Sequence, residues 1–130
     1  MKLKVFKTLW GHTGDLDAAI AACREDNFDG IEGPAPATAA ARNEFKFKLA
    51  ANGLSYIAEI CTAGSYVPTR QASVSEHLES LHQQAENAIE CNPLFLTIIA
   101  GCDAWPIAQS VDFFGEAMTA MNNLGITASF

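Results

Sequence analysis

Four times along the chain a strand-like apolar run gives way to a helical pattern closed by a turn residue, and a fifth strand-like run then begins. The strand runs fall at residues 2–9, 30–32, 54–60, 94–100 and 126–130. Helical periodicity places helices between them: one opened by Asp15, one over residues 38–52, one starting at Ser73 and one capped by Ser110. The first repeats Leu16, Ala19, Ile20 and Cys23 on one face, and the second Ala41, Phe45 and Leu49. The third carries Val74, Leu78, Leu81, Ala85, Ala88 and Ile89; the fourth carries Phe114, Ala117, Met118, Met121 and Leu124. The punctuation is chemically specific. Ser73 and Glu76 have the spacing of a capping box, in which each side chain satisfies the other's free backbone donor. Gly53 stands where a helix ends on a left-handed residue, and Gly33-Pro34-Ala35-Pro36 is too rigid to continue either neighbouring element.

A β-α-β-α-β-α-β-α-β order with right-handed crossovers leaves two architectures, an open doubly wound sheet or part of a βα barrel. A doubly wound, flavodoxin-like nucleotide domain wants a glycine-rich phosphate turn after its first strand. The turn here, Trp10-Gly11-His12-Thr13-Gly14-Asp15, is not of that form and ends in an acid where an anion would bind. The pattern therefore predicts an α/β fold of about four βα units plus a fifth strand, a partial TIM barrel. The fifth run reaches Phe130 with nothing after it to cover or pair it, so the expectation is a truncated chain: the N-terminal half of a larger barrel.

Charge and cysteine usage narrow the partners. The net charge is −7, and all eight Lys and Arg lie at or before Arg70. From Gln71 onward there are seven acids and no cation, the opposite of the clustered Lys and Arg that a phosphate backbone needs. No apolar run approaches the ~20 residues that span a bilayer, and lysines interrupt the first strand where a signal peptide would be apolar. Cys23, Cys61, Cys91 and Cys102 have no zinc-site spacing and read as reduced thiols of a cytoplasmic protein, with Cys23 and Cys91 as small buried apolar residues of the helices.

Chemistry in such a fold gathers at the C-terminal ends of the strands. Those ends carry Trp10 and His12, then Glu32, then Glu59, then Asp103 and Trp105. Carboxylates that accept from hydroxyls, with aromatic faces that pack on C–H surfaces, suit a polyol. Each residue also has a plainer reading: Trp10 as core packing, His12 as surface loop, Glu32 as a solvated loop acid, Asp103 as a turn cap. Glu59, near the end of a buried strand, needs a partner, either Arg70, a lysine or a substrate hydroxyl. His77 and His82 lie about 140° apart on a helix and cannot share a metal.

Taken in order, several stretches resemble the xylose isomerase-like TIM-barrel family of sugar isomerases and epimerases. They are Phe28-Asp29-Gly30-Ile31-Glu32-Gly33, Leu54-Ser55-Tyr56-Ile57-Ala58-Glu59, His77-Leu78, Glu86, Leu96-Thr97-Ile98-Ile99-Ala100-Gly101-Cys102-Asp103 and Asn123-Leu124-Gly125-Ile126. The resemblance implies an eight-stranded barrel in which a divalent metal, of manganese or magnesium type, mediates proton transfer or hydride shift between adjacent carbons of a sugar or sugar phosphate. The family's metal ligands sit at the end of strand five and on later strands, so none is expected on this chain. On that reading residues 1–130 form a single incomplete domain, inactive alone. Trp10, His12, Glu32 and Glu59 carry over as substrate-pocket candidates, with Asp103 and Trp105 at the fourth strand end. The family's DNA-repair branch fits poorly with the acidic charge. The rival expectation is a small self-assembling α/β binding module, without catalysis, that pairs through exposed sheet edges.

Overall fold

A computed structural model describes residues 2–130. Five strands, β1 (Phe6–Thr8), β2 (Gly30–Gly33), β3 (Ser55–Cys61), β4 (Leu96–Ile99) and β5 (Ala128–Ser129), alternate with four helices, α1 (Leu16–Glu25), α2 (Ala39–Ala51), α3 (Val74–Glu90) and α4 (Ile107–Asn123). Every neighbouring pair is parallel, and the spatial order is the chain order, β1-β2-β3-β4-β5. A doubly wound sheet reverses its order at a switch point; this one never does. With every crossover of one hand, all helices fall on one face, as in a βα barrel. The core agrees: Ile20, Phe45, Leu49, Leu81 and Phe113 from the four helices join Ile31, Tyr56, Ala58, Ile60, Leu96 and Ile98 from the strands in one apolar cluster. The flavodoxin-like alternative is excluded by this winding.

Local signals placed the helix ends. Asp15 caps α1 through Ala18 N–H, Thr38 caps α2 through Ala41 N–H, and Ser73 and Glu76 form the expected capping box on α3. Gly53 has φ +67°, the left-handed turn that follows α2. Two expectations fail. Helix α4 begins at Ile107 rather than at Ser110, with Pro106 before it and no side-chain cap; the Ser110 hydroxyl instead donates back to the Pro106 carbonyl at 3.5 Å. Of the face that periodicity selected, Ala117 and Met121 are buried and Leu124 packs against the core, but Phe114 and Met118 stay exposed, and Phe113 and Ala120 are buried instead.

One long-range tie holds the loop after β2. Arg42, almost buried on α2, donates to the Pro36 and Ala37 carbonyls at 3.2 and 2.8 Å and to both carboxylate oxygens of Glu90 on α3. The forked guanidinium matches carboxylate geometry, and it holds Glu90 below the ordinary carboxylate range. Arg42 was invisible to hydrophobic periodicity because it occupies an apolar-facing position.

Candidate functional site

Strand alternation sends one set of side chains to the helices and the other to the opposite, concave face. Tyr56, Ala58 and Ile60 face the helices, which leaves Ile57, Glu59 and Cys61 on the concave face of β3. Register extends that face sideways: Glu32 pairs with Ile57, Glu59 with Thr97, and Cys61 with Ile99. Glu32 and Glu59 thus stand on one face in successive layers, near the C-terminal ends of their strands.

Each carboxylate has a hydroxyl partner. The Tyr66 hydroxyl donates to Glu59 Oε1 at 2.5 Å, and the Thr97 hydroxyl donates to Glu32 Oε1 at 3.3 Å. The bond to Glu59, more than burial, pushes the Tyr66 phenol up to about 12. Glu59 therefore finds its partner in Tyr66, not in Arg70 or a lysine; the ion pairs among the described residues are Arg42–Glu90, Lys48–Asp17 and Lys48–Glu44. Tyr66 is brought over by the loop after β3, where Ala63 and Gly64 take positive φ and a bridge joins Gly64 to Pro68. Its ring tilts against Trp10 with centroids 5.8 Å apart. Trp10, Tyr66, Glu59, Cys61 and Gln84 line a cleft of about 380 Å³. Trp10 remains 73% exposed, so one indole face is free to meet a ligand.

The other sequence candidates go elsewhere. Gly11, at φ +71°, reverses the chain after Trp10, and His12 enters a different cleft beside the start of α1. Trp105 turns into the helix layer, 4.8 Å from the His77 ring and 5.3 Å from Phe113, so it does not join Trp10. Asp103 is exposed in the loop between β4 and α4. Tyr66 and Thr97 were missed as site residues. Thr97 was recoverable from the period-two alternation of β4, whereas nothing local indicates where a long loop lays its tyrosine.

His77, to which the sequence reading assigned no ligand role, is fully buried. Its Nδ1 lies 2.7 Å from the Thr62 hydroxyl, and Thr62 Oγ1 accepts the Gly101 N–H at 3.4 Å. That chain ties the ends of β3 and β4 to α3. Burial pushes the imidazole below its ordinary range, against the weaker opposing pull of Glu76. The neutral form is thus favoured in the fold, and the unfolded chain takes up a proton first. Stability is complete above about pH 6.5, the value of an unperturbed histidine, and falls as pH drops below it. Urea midpoints from pH 8 to pH 5 should show this decline, and His77→Gln should flatten it; a wild-type profile level across that window would count against it.

Among the described residues, no three His, Cys, Asp or Glu side chains converge where a metal could sit. Glu32 and Glu59 are each engaged by a hydroxyl, and no third donor joins them. The donor set on this chain does not fit a divalent metal by itself.

No protein-family model matches the chain, and no curated protein matches it in sequence. Solved structures match in fold. L-ribulose 3-epimerase aligns with a TM-score of 0.76 at 15% identity over 99% of this chain and 49% of that one. A sugar phosphate isomerase/epimerase from Parabacteroides distasonis gives 0.69 at 13% identity, over 95% of this chain and 51% of the other. Endonuclease IV from Thermus thermophilus gives 0.57 at 12%, over 95% and 47%. The chain spans about half the length of the structures it matches. Five parallel strands in chain order with four helices, aligned over about half of each of these structures, give this chain the fold of half a TIM barrel. At these identities the likeness speaks for the fold alone.

Proposed function

We propose that the chain, as the single incomplete N-terminal domain of a xylose isomerase-like barrel, supplies the sugar-holding strand ends of a metal-dependent sugar or sugar-phosphate isomerase or epimerase. The observation that carries this reading is the meeting of Glu59, Tyr66 and Trp10 in one cleft at the strand ends, beside the Glu32–Thr97 pair. Two of the matched folds are named for epimerase or isomerase activity on sugars, which supports the substrate class. Glu59 and Glu32 keep free lone pairs to accept from sugar hydroxyls, and the open Trp10 face packs against a sugar's C–H surface. In this proposal a divalent metal would be held by residues outside these 130 and would supply Lewis-acid polarisation. This half binds and orients, and it has no turnover alone. The thiols support a cytoplasmic setting: Cys23, Cys61, Cys91 and Cys102 are all unpaired. No described helix is long and apolar enough to cross a membrane, and no nucleic-acid or membrane partner is proposed.

The test is a calorimetric titration with a panel of ketopentoses, ketohexoses and their phosphates. Saturable binding in the millimolar range (about −4 kcal/mol) is expected, weakened about tenfold or more by Glu59→Gln and by Trp10→Ala. No saturable binding by any sugar, or binding indifferent to both changes, would overturn the reading. Turnover by the 130-residue chain with manganese or magnesium would overturn the half-barrel part of it.

A second reading has its own observation. Ile107, Val111, Phe114 and Met118 recur along one side of α4 and stay 83, 64, 37 and 45% exposed, next to the open edge at β5. A self-assembling module would cover them with another copy. Light scattering that shows a discrete dimer, together with no sugar binding, would favour that alternative.

A further inference from the structure

The cleft that receives His12 is separate in chemistry from the one at Trp10, although the two share Leu9 and Pro34. Its walls are Leu9, Leu16, Ala19, Pro34, Pro36 and Phe45, contributed by the first two βα units, which are neighbours in the sheet. No residue after Phe45 lines it. Its volume is about 270 Å³, below the ~300 Å³ at which pockets for drug-sized molecules begin, and so suited to one ring.

One polar atom in this apolar setting has no partner. His12 Nε2 is buried and makes no hydrogen bond. Buried polar groups in folded proteins are almost always paired, so this nitrogen calls for a group that the chain does not supply. Gly14 keeps its surroundings open: at φ +138°, a Cβ there would stand 3.3 Å from Nε2 and 3.0 Å from the Ala18 Cβ.

The surroundings select the occupant. The nearest carboxylate, Asp15, is turned onto the Ala18 N–H at 2.9 Å, and its charge opposes any anion at the start of α1. No lysine or arginine lines the cleft, so nothing there pairs with a phosphate or a carboxylate. A polyol would bring several hydroxyls against proline, leucine and phenylalanine and leave most of them unpaired. A single hydroxyl, which both donates and accepts, satisfies Nε2 in either tautomer of a neutral imidazole. We propose that this cleft binds a small neutral ring compound bearing one hydroxyl, its ring among Leu16, Pro36 and Phe45 and its hydroxyl on His12 Nε2. The site is independent of the sugar cleft and does not rest on that reading.

Phenol is the probe, with toluene as the same shape lacking the hydroxyl. The 130-residue chain is titrated with each while the His12 imidazole and Phe45 ring resonances are followed by NMR. Saturable phenol binding in the low-millimolar range is expected, the scale that about seven heavy atoms can support. Toluene should bind about tenfold more weakly, and His12→Phe should abolish the difference between the two. The phenol–toluene comparison needs no variant, so it stands even if His12→Phe folds poorly. Equal affinities, shifts that never saturate, or shifts confined to Trp10 and Tyr66 would each overturn the proposal; the nitrogen would then be served by water only.

Discussion

Gly30→Ala is expected to cost the fold ~3 kcal/mol, at the upper end of overpacking penalties, and to loosen the β1–β2–β3 side of the sheet. Gly30 opens β2 and stands in register between Phe6 and Ser55. A Cβ on it would overlap the Ser55 carbonyl oxygen and come within 2.5 Å of the Phe6 ring. The ring can swing aside, but the carbonyl belongs to the backbone of β3 and moves only if the ladder moves. Because β2 and β3 also carry Glu32 and Glu59, the same shift would separate the two carboxylates. Gly115 provides the control: it lies inside α4, and a methyl group added there would meet nothing within 4 Å. Gly115→Ala should therefore stabilise by about 0.5–1 kcal/mol. Urea denaturation of the two variants checks both signs. A Gly30→Ala protein as stable as the wild type would mean that β2 and β3 are not packed as described.

Phe113→Ala is the second large effect, ~3–5 kcal/mol, the usual range for truncating a fully buried phenylalanine. Its ring is 0% exposed and sits 5.3 Å from Trp105, 6.0 Å from His77 and 5.1 Å from Phe114. It is the floor under the loop that bears Asp103, and it closes the apolar cage around His77. Domains of this size have total stabilities of roughly 5–15 kcal/mol, so the loss is a large share of the whole. Trp105 should report it directly through a red-shifted emission and a weakened near-ultraviolet dichroism. Phe114→Ala, at a half-exposed position, should cost less than half as much. A larger cost at Phe114 than at Phe113 would reverse the phase assigned to α4.

That phase shows where sequence reasoning stops. Helix α4 has two apolar stripes, the buried Phe113-Ala117-Ala120-Met121 and the exposed Ile107-Val111-Phe114-Met118. Periodicity finds a helix there but cannot choose between two faces that are both apolar. Packing against β4 and α3 makes the choice. By contrast, α1, α2 and α3 each present one apolar stripe, and there the expected residues Cys23, Phe45 and Leu81 are buried.

The candidate site divides in the same way. Glu32 and Glu59 were legible because strand alternation and parallel register are short-range rules, and both side chains reach the concave face together. His12 and Trp105 were read toward the same site, yet Gly11 and Gly101, both with positive φ, turn the chain so that these rings enter the helix layer. Tyr66 reaches Glu59 only through the path of its loop.

By itself the sequence determined the alternation of strands and helices and the helix starts at Asp15 and Ser73. These rest on interactions between residues a few positions apart, which the order of side chains specifies directly. The tertiary structure alone decided the choice of Phe113 over Phe114 on the inner face of α4, the burial of His77 on Thr62, the Arg42–Glu90 tie and the pairing of Tyr66 with Glu59. Apart from that last pair, which a loop of uncoded path brings together, these join residues 15 or more positions apart or choose between equivalent faces. Their partners meet only after the helices have packed on the sheet, because burial then fixes which polar groups must satisfy one another.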